Sequence, residues 1–203
     1  GTAIGESSEL VNLAKFNIMQ PTNAQWVTVF DKNIDFDGAR LSECNIIDLD
    51  QDVVRVFAVN LKNLQYYFRD VNKRDLSVGP LREVKFKESD GAEAILFNKE
   101  NINDHITSLG GQIYSHLQFT TAIVKVDGYF YTTVCGGNKI SNFLFLRSKD
   151  GEVWTHVSLV EHMVNYEAML AYHDNKFWVM CRNGYEVVTS EKQQNLLYSA
   201  DGI

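Results

Sequence analysis

The 203-residue sequence contains little proline, little cysteine and few segments with helical periodicity. Only two prolines occur, whereas aromatic and β-branched residues are plentiful, and this composition favours an all-β domain. Basic residues are fewer than acidic ones, and the formal net charge is −7. This charge argues against nucleic acid or an anionic membrane surface as the main partner. No apolar run approaches the roughly 20 residues that span a bilayer.

The sequence also lacks the common signatures of metal and nucleophile chemistry. Its three cysteines, Cys44, Cys135 and Cys181, are odd in number and without C-x-x-C spacing, which excludes a disulfide framework and a zinc site. Each cysteine falls in a predicted strand and is expected to be a small buried side chain, with a catalytic thiol as the alternative. No phosphate-cradling glycine loop, nucleophile elbow or metal-ligand cluster is present. The sequence therefore predicts no metal and no cofactor.

The most informative segment covers residues 143–154 and contains the pattern Ser-x-Asp-Gly-x-x-Trp. Asp150 can accept hydrogen bonds from the backbone of its own tight turn, and Gly151 can adopt the positive φ that such a hairpin needs. The Ser148 hydroxyl can bond the same turn. The Trp154 ring can pack under the hairpin, provided that its single N–H finds a partner. The segment therefore predicts a tight hairpin between two strands.

The strand pattern around this hairpin repeats along the chain. The spacing from Asp127 to Asp174 and the spacing from Ser148 to Ser199 are both about 50 residues. Two independent sequence features therefore recur with a similar period. A period near 50 residues with four short antiparallel strands per unit is typical of β-propeller blades. The sequence thus predicts a single propeller portion over residues 1–203, made of an N-terminal strand and lead-in at 1–40, a blade at 41–87, an insertion at 88–118, a blade at 119–160 and a partial blade at 161–203.

The two ends of the chain carry further expectations. One short helix is predicted at residues 8–16, followed by a turn at Pro21 and a strand at residues 26–30 of the type that closes a propeller ring. The sequence stops inside a hairpin, so we expect an incomplete ring whose open edge is covered by missing C-terminal blades or by self-association. The first residues resemble a tag remnant and a mature terminus after a removed signal, which predicts a secreted or periplasmic protein.

The hairpin pattern of Ser148, Asp150, Gly151 and Trp154 resembles the Asp-box, or bacterial neuraminidase (BNR) repeat. This repeat joins the outer two strands of propeller blades. The resemblance implies a sialidase-like propeller in which these residues have a structural role. Incomplete copies occupy the corresponding positions of the other blades: Asp70, Asn72 and Leu76 in the first, and Ser199, Asp201 and Gly202 in the third.

Residues 166–182 resemble the sialidase pattern in which a glutamate begins an inner strand and an arginine ends the next strand. In that family the glutamate supports catalysis, and the arginine belongs to a triad that grips the substrate carboxylate. By position, Glu167 and Arg182 would be this pair, and the planar guanidinium suits a carboxylate because it donates two parallel hydrogen bonds. The alternative is a hydrogen-bonded glutamate and a surface arginine at a strand end.

Other candidates lie where inner strands begin. Glu43 is the second candidate carboxylate, because glycoside cleavage needs two carboxylates about 5–10 Å apart. Arg40 lies near the first arginine of the sialidase triad, although the neighbouring aromatic and proline of that motif are absent. The family's acid/base aspartate is expected on a long loop, whereas the short loop at residues 60–63 contains no carboxylate. Four further residues are predicted to contact substrate, with ordinary loop or channel-mouth roles as the alternative: Tyr166, His116, His162 and Gln118.

The resemblance implies a carbohydrate-active propeller that hydrolyses glycosides or binds carbohydrate. The alternatives are a non-catalytic propeller that binds glycan or protein, and a purely structural propeller without a pocket. An enzyme would place a second carboxylate with a raised pKa across the channel mouth from Glu167. A binding module would present aromatic and amide side chains there instead. The acidic residues of the insertion are expected to form a solvated face: Asp90, Glu93, Glu100 and Asp104.

Overall fold

The computed structural model describes residues 10–111, 117–119, 122–135, 143–160, 165–183 and 194–199. Within these ranges the chain is mostly β, arranged in several antiparallel sheets and accompanied by little helix. The all-β prediction is therefore confirmed at this coarse level. The chain divides into two compact units, Gly1–Glu83 and Val84–Ile203, and each is described by itself.

The described part of the first unit contains two antiparallel sheets. Its elements are β1 (Leu10–Asn17), β2 (Gln20–Asp31), α1 (Lys32–Asp35), β3 (Leu41–Asp48), β4 (Val53–Asn60), β5 (Gln65–Asn72) and β6 (Arg82–Glu83). Strands β1 and β2 form a long hairpin. Strands β3, β4, β5 and β6 form a second sheet in which strands that follow one another in the chain are hydrogen-bonded neighbours. The sequence order of this sheet is thus the meander predicted for the segment.

The core of the first unit lies between these two sheets and contains side chains from both of them. Phe30 of β2 and Ala58 of β4 are fully buried, and Phe36 contacts the ring of Tyr67 edge-to-face at 4.9 Å. Strand β4 is buried on both faces along most of its length. Burial of both faces explains why its sequence, Val-Val-Arg-Val-Phe-Ala-Val-Asn, is a nearly continuous apolar run rather than a clean alternation.

The predicted helix at residues 8–16 is wrong where the structure describes it, because residues from Leu10 onward belong to β1. Val11 of β1 is paired with Phe30 of β2, and both are buried, so tertiary pairing overrides the weak helical pattern. The hairpin turns at Ile18 and Met19. The predicted turn at Pro21 is also wrong, because Pro21 lies near the start of β2, a position where a strand tolerates a missing amide donor.

The described part of the second unit contains two sheets and one helix. Its elements are β7 (Lys85–Lys87), β8 (Ile95–Leu96), α2 (Lys99–Ser108), β9 (Gln118–Phe119), β10 (Val124–Val126), β11 (Tyr129–Cys135), β12 (Phe143–Ser148), β13 (Val153–Val160), β14 (Asn165–His173), β15 (Lys176–Asn183) and β16 (Gln194–Ser199). One sheet has the order β10-β11-β12-β13-β7-β8, with β9 also paired to β11. The other has the order β14-β15-β16.

The larger sheet extends beyond the four-stranded meander that the sequence predicts. Strand β13 is paired in parallel with β7, in a register that joins Trp154 to Phe86 and Thr155 to Lys87. The end of the segment predicted as the first blade, residues 41–87, is therefore divided between two sheets. Its first part, β6, pairs with β5 in the first unit, whereas the residues from Lys85 onward belong to a sheet of the second unit.

Helix α2 lies in the predicted insertion and was not expected. Asn98 caps it, because its side-chain oxygen accepts hydrogen bonds from the amides of Glu100 and Asn101 at 2.9 and 3.1 Å. Ile102 and Ile106, one turn apart, are fully buried. Helix formation here depends on that burial. The expectation that Asp90, Glu93, Glu100 and Asp104 face solvent is confirmed, since all four are exposed.

Two different layers contact the faces of the larger sheet. On one face, His105 of α2 contacts His156 of β13 and the ring of Phe86 of β7. On the other face, Phe145 of β12 packs against the smaller sheet. The two faces are distinguished by the alternation of side chains along each strand. The residues of the smaller sheet in this second cluster are Ala168, Leu170, Phe177 and Val179.

Candidate functional site

The hairpin between β12 and β13 contains the hydrogen bonds that its residue types predict. Asp150 Oδ1 accepts from the amides of Glu152 and Val153 at 2.8 and 3.0 Å. The Ser148 hydroxyl donates to Asp150 Oδ1 at 3.1 Å and accepts from the amide of Gly151 at 2.8 Å. Gly151 has φ +73°, the left-handed conformation that glycine adopts without strain.

The Trp154 side chain packs in the core beneath this hairpin and is hydrogen-bonded to it. This side chain is completely buried, and its indole N–H donates to the carbonyl of Gly151 at 3.1 Å. The ring lies 5.5 Å from that of Phe119, which in turn lies 5.4 Å from Phe97. Ser148, Asp150, Gly151 and Trp154 therefore form a structural corner, in which the backbone and the core use the polar groups of the motif.

The positions at which the sequence predicts incomplete copies of this motif differ from one another. In the first unit, Asn72 ends β5, and its side-chain oxygen accepts from the amide of Arg74 at 2.8 Å. Leu76 adopts φ +61° and is only partly buried. In the second unit, Ser199 is the last residue of β16 and is paired with Phe177. Asp201 and Gly202 lie outside the described residues.

The leading candidate pair occupies facing positions on two neighbouring strands. Glu167 of β14 is the register partner of Arg182 of β15 in an antiparallel pairing. Residues that face each other in this way have Cβ atoms about 5 Å apart and project from the same face of the sheet. A register shift between Asn165 and Glu167 marks a bulge that contains Tyr166. The side chains of these residues lie outside the described part of the structure.

The remaining candidates are dispersed among several elements. Glu43 lies in β3 within the register shift between Ser42 and Asn45, and its side chain is not among those described. Arg40, just before β3, is exposed, and its carbonyl accepts from the amide of Leu61 at 2.9 Å. Gln118 lies in β9 as the partner of Cys135, with its side chain outside the described part. His116 and His162 also lie outside the described residues.

The connection between β4 and β5 is a tight turn. The amide of Leu64 donates to the carbonyl of Asn60 at 2.8 Å, and Leu64 has φ +54°. The Asn60 side chain accepts from the amide of Lys62 at 2.9 Å. This turn has no room for the carboxylate-bearing loop that the sialidase resemblance implies at this point.

Two histidines that the sequence did not single out meet between α2 and β13. His105 Nε2 lies 3.0 Å from His156 Nδ1, and the ring centroids are 4.6 Å apart. Burial lowers the pKa of His105, although the charge of Glu88 opposes this effect. Burial also lowers the pKa of His156, and His105 lowers it further. No sequence signal indicated the pair, because 51 residues separate its members.

Two further observations concern chemistry at other positions. Within the ranges that the structure describes, no group of three or more His, Cys, Asp or Glu side chains is arranged to hold a metal ion. None of the described helices is long and apolar enough to cross a membrane.

Cys44 is exposed, so its predicted burial is wrong; it lies in the irregular part of β3. The side chains of Cys135 and Cys181 are outside the described part.

Comparison of the chain with protein-family models gives no match, and comparison with curated proteins gives no significant match. The resemblance to sialidases therefore depends on the residues of the chain itself.

Proposed function

We propose that this chain is part of a sialidase-like β-propeller that hydrolyses a glycoside. Glu167 supplies a catalytic carboxylate, and Arg182 binds an anionic or hydroxyl group of the substrate. The observation that supports the proposal is the antiparallel register of β14 and β15, in which these two residues are partners. A fixed separation of about 5 Å between their Cβ atoms lets one sugar ring contact both side chains.

The chemistry of the two groups suits this task. The guanidinium donates two parallel hydrogen bonds to a carboxylate or to neighbouring hydroxyls, which orients the ring. A carboxylate beside the bound ring can transfer a proton or assist an attacking group. An ionised glutamate is suited to the role of base or stabilising charge.

A structural ion pair of the repeat is the competing interpretation, and the corresponding positions of the other sheets argue against it. In the first unit, the position in β4 that corresponds to Arg182 is Ala58. Its neighbour Phe57 is the register partner of Asn45 in β3. In the larger sheet the corresponding residue is Cys135. A pair that served every blade would recur in every blade. Its restriction to β14 and β15 supports a functional role.

The proposal includes the setting of the reaction. The ligand is carbohydrate, and neither nucleic acid nor membrane takes part. The protein acts outside the cytoplasm, without a metal or an organic cofactor. Glu43 is the second carboxylate proposed for catalysis. Substrate contact is proposed at five further positions: Arg40, Tyr166, Gln118, His116 and His162.

The second candidate function is non-catalytic carbohydrate or protein binding by the same type of propeller. The tight turn from Asn60 to Leu64 favours it, because this turn replaces the loop on which sialidases carry their acid/base aspartate. A protein without that carboxylate could retain the arginine and bind sugar without cleaving it. The two functions differ in whether a bound glycoside is turned over.

The decisive experiment combines a glycan array with a panel of fluorogenic glycosides, applied to the full chain and to matched variants. If hydrolysis is the function, we expect Glu167→Gln to lower kcat by about 10²- to 10⁴-fold with binding retained. Arg182→Gln is expected to weaken binding, and Arg182→Lys to restore it in part, because lysine keeps the charge but loses the planar fork. Glu93→Gln, which removes an exposed carboxylate, is the control and is expected to leave turnover unchanged.

The outcomes separate the two candidates. Unchanged turnover in Glu167→Gln removes this residue from the mechanism. Array binding without turnover by the wild-type chain selects the non-catalytic function. Neither binding nor turnover across both panels rejects the carbohydrate proposal.

A further inference from the structure

A row of four polar side chains crosses the larger sheet of the second unit. Tyr131 of β11 is paired with Arg147 of β12, Arg147 with Thr155 of β13, and Thr155 with Lys87 of β7. Because residues paired in this way project from the same face, all four lie on one face of the sheet. Neighbouring strands are about 4.8 Å apart, so the backbones of Arg147 and Lys87 are about 10 Å apart with Thr155 between them.

Three members of this row, Arg147, Thr155 and Lys87, line an open pocket of about 320 Å³, whereas Tyr131 packs against Phe145. Arg147, Thr155 and Lys87 contribute to its wall, together with Asp90, Tyr129 and Lys149. A volume of about 300 Å³ or more is sufficient for a small-molecule ligand. The pocket lies beside the Ser148–Trp154 corner and is distinct from the positions of Glu167 and Arg182.

The pocket is rich in positive charge, although the whole chain has a net charge of −7. Lys149 and Arg147 both lie against the ring of Tyr129, at 5.2 and 5.3 Å from its centroid. Lys87 adds a third cation from β7. Three cations in one concave site make a local positive potential that attracts anions.

The pocket also contains two carboxylates, Asp90 and Asp150, which reduce this positive potential to different extents. Asp150 accepts hydrogen bonds from two amides of its own turn, so that its charge serves the hairpin. Asp90 forms an ion pair with Arg147 at 2.6 Å, but its side chain is 70% exposed. An exposed carboxylate can rotate into water at little cost, since surface ion pairs contribute only about 0–1 kcal/mol. Asp90 therefore occupies the guanidinium that an incoming anion would use.

We propose that this pocket binds an oxyanion group, sulfate, phosphate or carboxylate, carried on a molecule of monosaccharide size. The Lys87 ammonium and the Arg147 guanidinium approach the anion from opposite sides, and the Thr155 hydroxyl donates from the strand between them. The incoming group displaces Asp90 from Arg147. The methylene stems of the cations and the Tyr129 ring provide apolar surface for the remainder of the molecule.

The test is a titration of the isotopically labelled full chain, followed by the amide signals of Lys87, Arg147 and Thr155. The probes are inorganic sulfate, inorganic phosphate, glucuronate and glucose 6-sulfate, with glucose as the neutral control. We expect saturable shifts with the sugar-borne anions and none with glucose. Inorganic anions that bind as tightly as the sugar-borne ones would restrict the site to the free ion and overturn the sugar-sized ligand.

Variants identify the groups that bind. Lys87→Gln and Arg147→Gln are each expected to weaken binding of glucose 6-sulfate at least about tenfold, because each removes a charge-assisted hydrogen bond. Asp90→Asn is expected to strengthen binding several-fold, because it removes the internal competitor. This gain cannot result from loss of folding. Lys125→Gln removes an exposed lysine from the opposite face of the same sheet and is the matched control.

Three results would overturn the proposal. These are the absence of any saturable shift with the four probes, equal weakening by Lys125→Gln and Lys87→Gln, and weaker binding by Asp90→Asn. None of them depends on Glu167 or Arg182, so the pocket and the proposed glycoside hydrolysis can fail independently.

Discussion

Two hairpins of this chain occupy corresponding places in their sheets but are stabilised by different interactions. The corner at Ser148–Trp154 joins the strands that the sequence predicts as the outer pair of a blade, and so does the turn that follows Asn72. At the Ser148–Trp154 corner, the tryptophan ring is fully buried beneath the turn, and the side chains of Ser148 and Asp150 form hydrogen bonds within it. The motif is complete there and reduced at Asn72.

The turn after Asn72 is stabilised by ion pairs between charged side chains at the surface. Arg74 donates to both carboxylate oxygens of Asp52, at 2.7 and 2.9 Å, and Lys73 donates to Asp48 at 2.6 Å. These contacts tie the turn to the neighbouring turn between β3 and β4. The Arg74 and Asp52 side chains are 77% and 45% exposed, so water and salt weaken their attraction.

This comparison shows that one chain connectivity is compatible with two kinds of corner. A buried aromatic ring contributes apolar burial, whereas an exposed ion pair contributes little energy and mainly selects an orientation. A turn without a buried tryptophan is therefore compatible with the consecutive strand order of the first unit. The comparison leads to three predictions.

The largest effect is expected from truncation at the two corresponding positions. Trp154→Ala should lower the free energy of unfolding by about 3–5 kcal/mol, because it removes a buried ring and leaves a cavity. Leu76→Ala should cost roughly 1 kcal/mol, because Leu76 is only partly buried. Chemical denaturation of the full chain, followed by amide signals of each unit, measures both. Equal losses would show that the two corners do not differ as argued.

An intermediate effect is expected from pH, which acts on the histidine pair beside the Trp154 corner. The pKa values of His105 and His156 are lowered from 6.5 by burial, so the folded chain binds fewer protons than the unfolded chain as pH falls through 6.5. Stability is therefore fully present above this value and is lost as pH falls below it. Between pH 7.5 and 5.5 we expect a loss of about 1 kcal/mol or more. Denaturation at the two pH values measures it.

A variant and a control assign this pH effect to the pair. The double variant His105→Phe/His156→Phe should flatten the dependence, because the two buried imidazoles that titrate in this range are removed. His173→Gln replaces a side chain that is 78% exposed and should leave the slope unchanged. An unaltered slope in the double variant would place the pH dependence elsewhere. The local amide signals of α2 should respond before those of β1 and β2.

The smallest effect is expected from the ion pairs of the Asn72 turn. Arg74→Gln should change the free energy of unfolding by about 0–1 kcal/mol, because the pair is exposed. The difference from wild type should shrink further in 1 M salt, where the Debye length is about 3 Å. Denaturation at low and high salt provides the measurement. A loss as large as that of Trp154→Ala would contradict the comparison of the two corners.

Much of the strand content could be predicted from the sequence, because alternation and turn residues act locally. The strand predicted at residues 26–30 lies within β2, and the segments predicted as blades at 41–87 and 119–160 contain β3 to β5 and β10 to β13. The hairpin at Ser148 was predicted to the level of its hydrogen bonds. Its groups are within six residues of each other, so the residue types alone specify their partners.

The errors concern segments whose structure depends on distant partners. Residues 10–16 have a weak helical pattern but pair with β2. Helix α2 contains two asparagines yet forms because Ile102 and Ile106 are buried. The parallel pairing of β7 with β13 joins segments about 70 residues apart and has no local signal. Of the candidate site, the facing positions of Glu167 and Arg182 follow from the predicted strands and their short turn. The cationic row through Lys87 required the parallel pairing.

By itself the sequence determined the alternation of most strands and the Ser148–Trp154 corner, because these depend on backbone conformation and on groups a few residues apart. The tertiary structure alone decided which strands became neighbours. It thereby brought Lys87 beside Thr155 and Arg147, and His105 beside His156. The physical reason is that a strand offers the same hydrogen-bonding groups to any neighbour, and burial of side chains across the whole sheet selects among them.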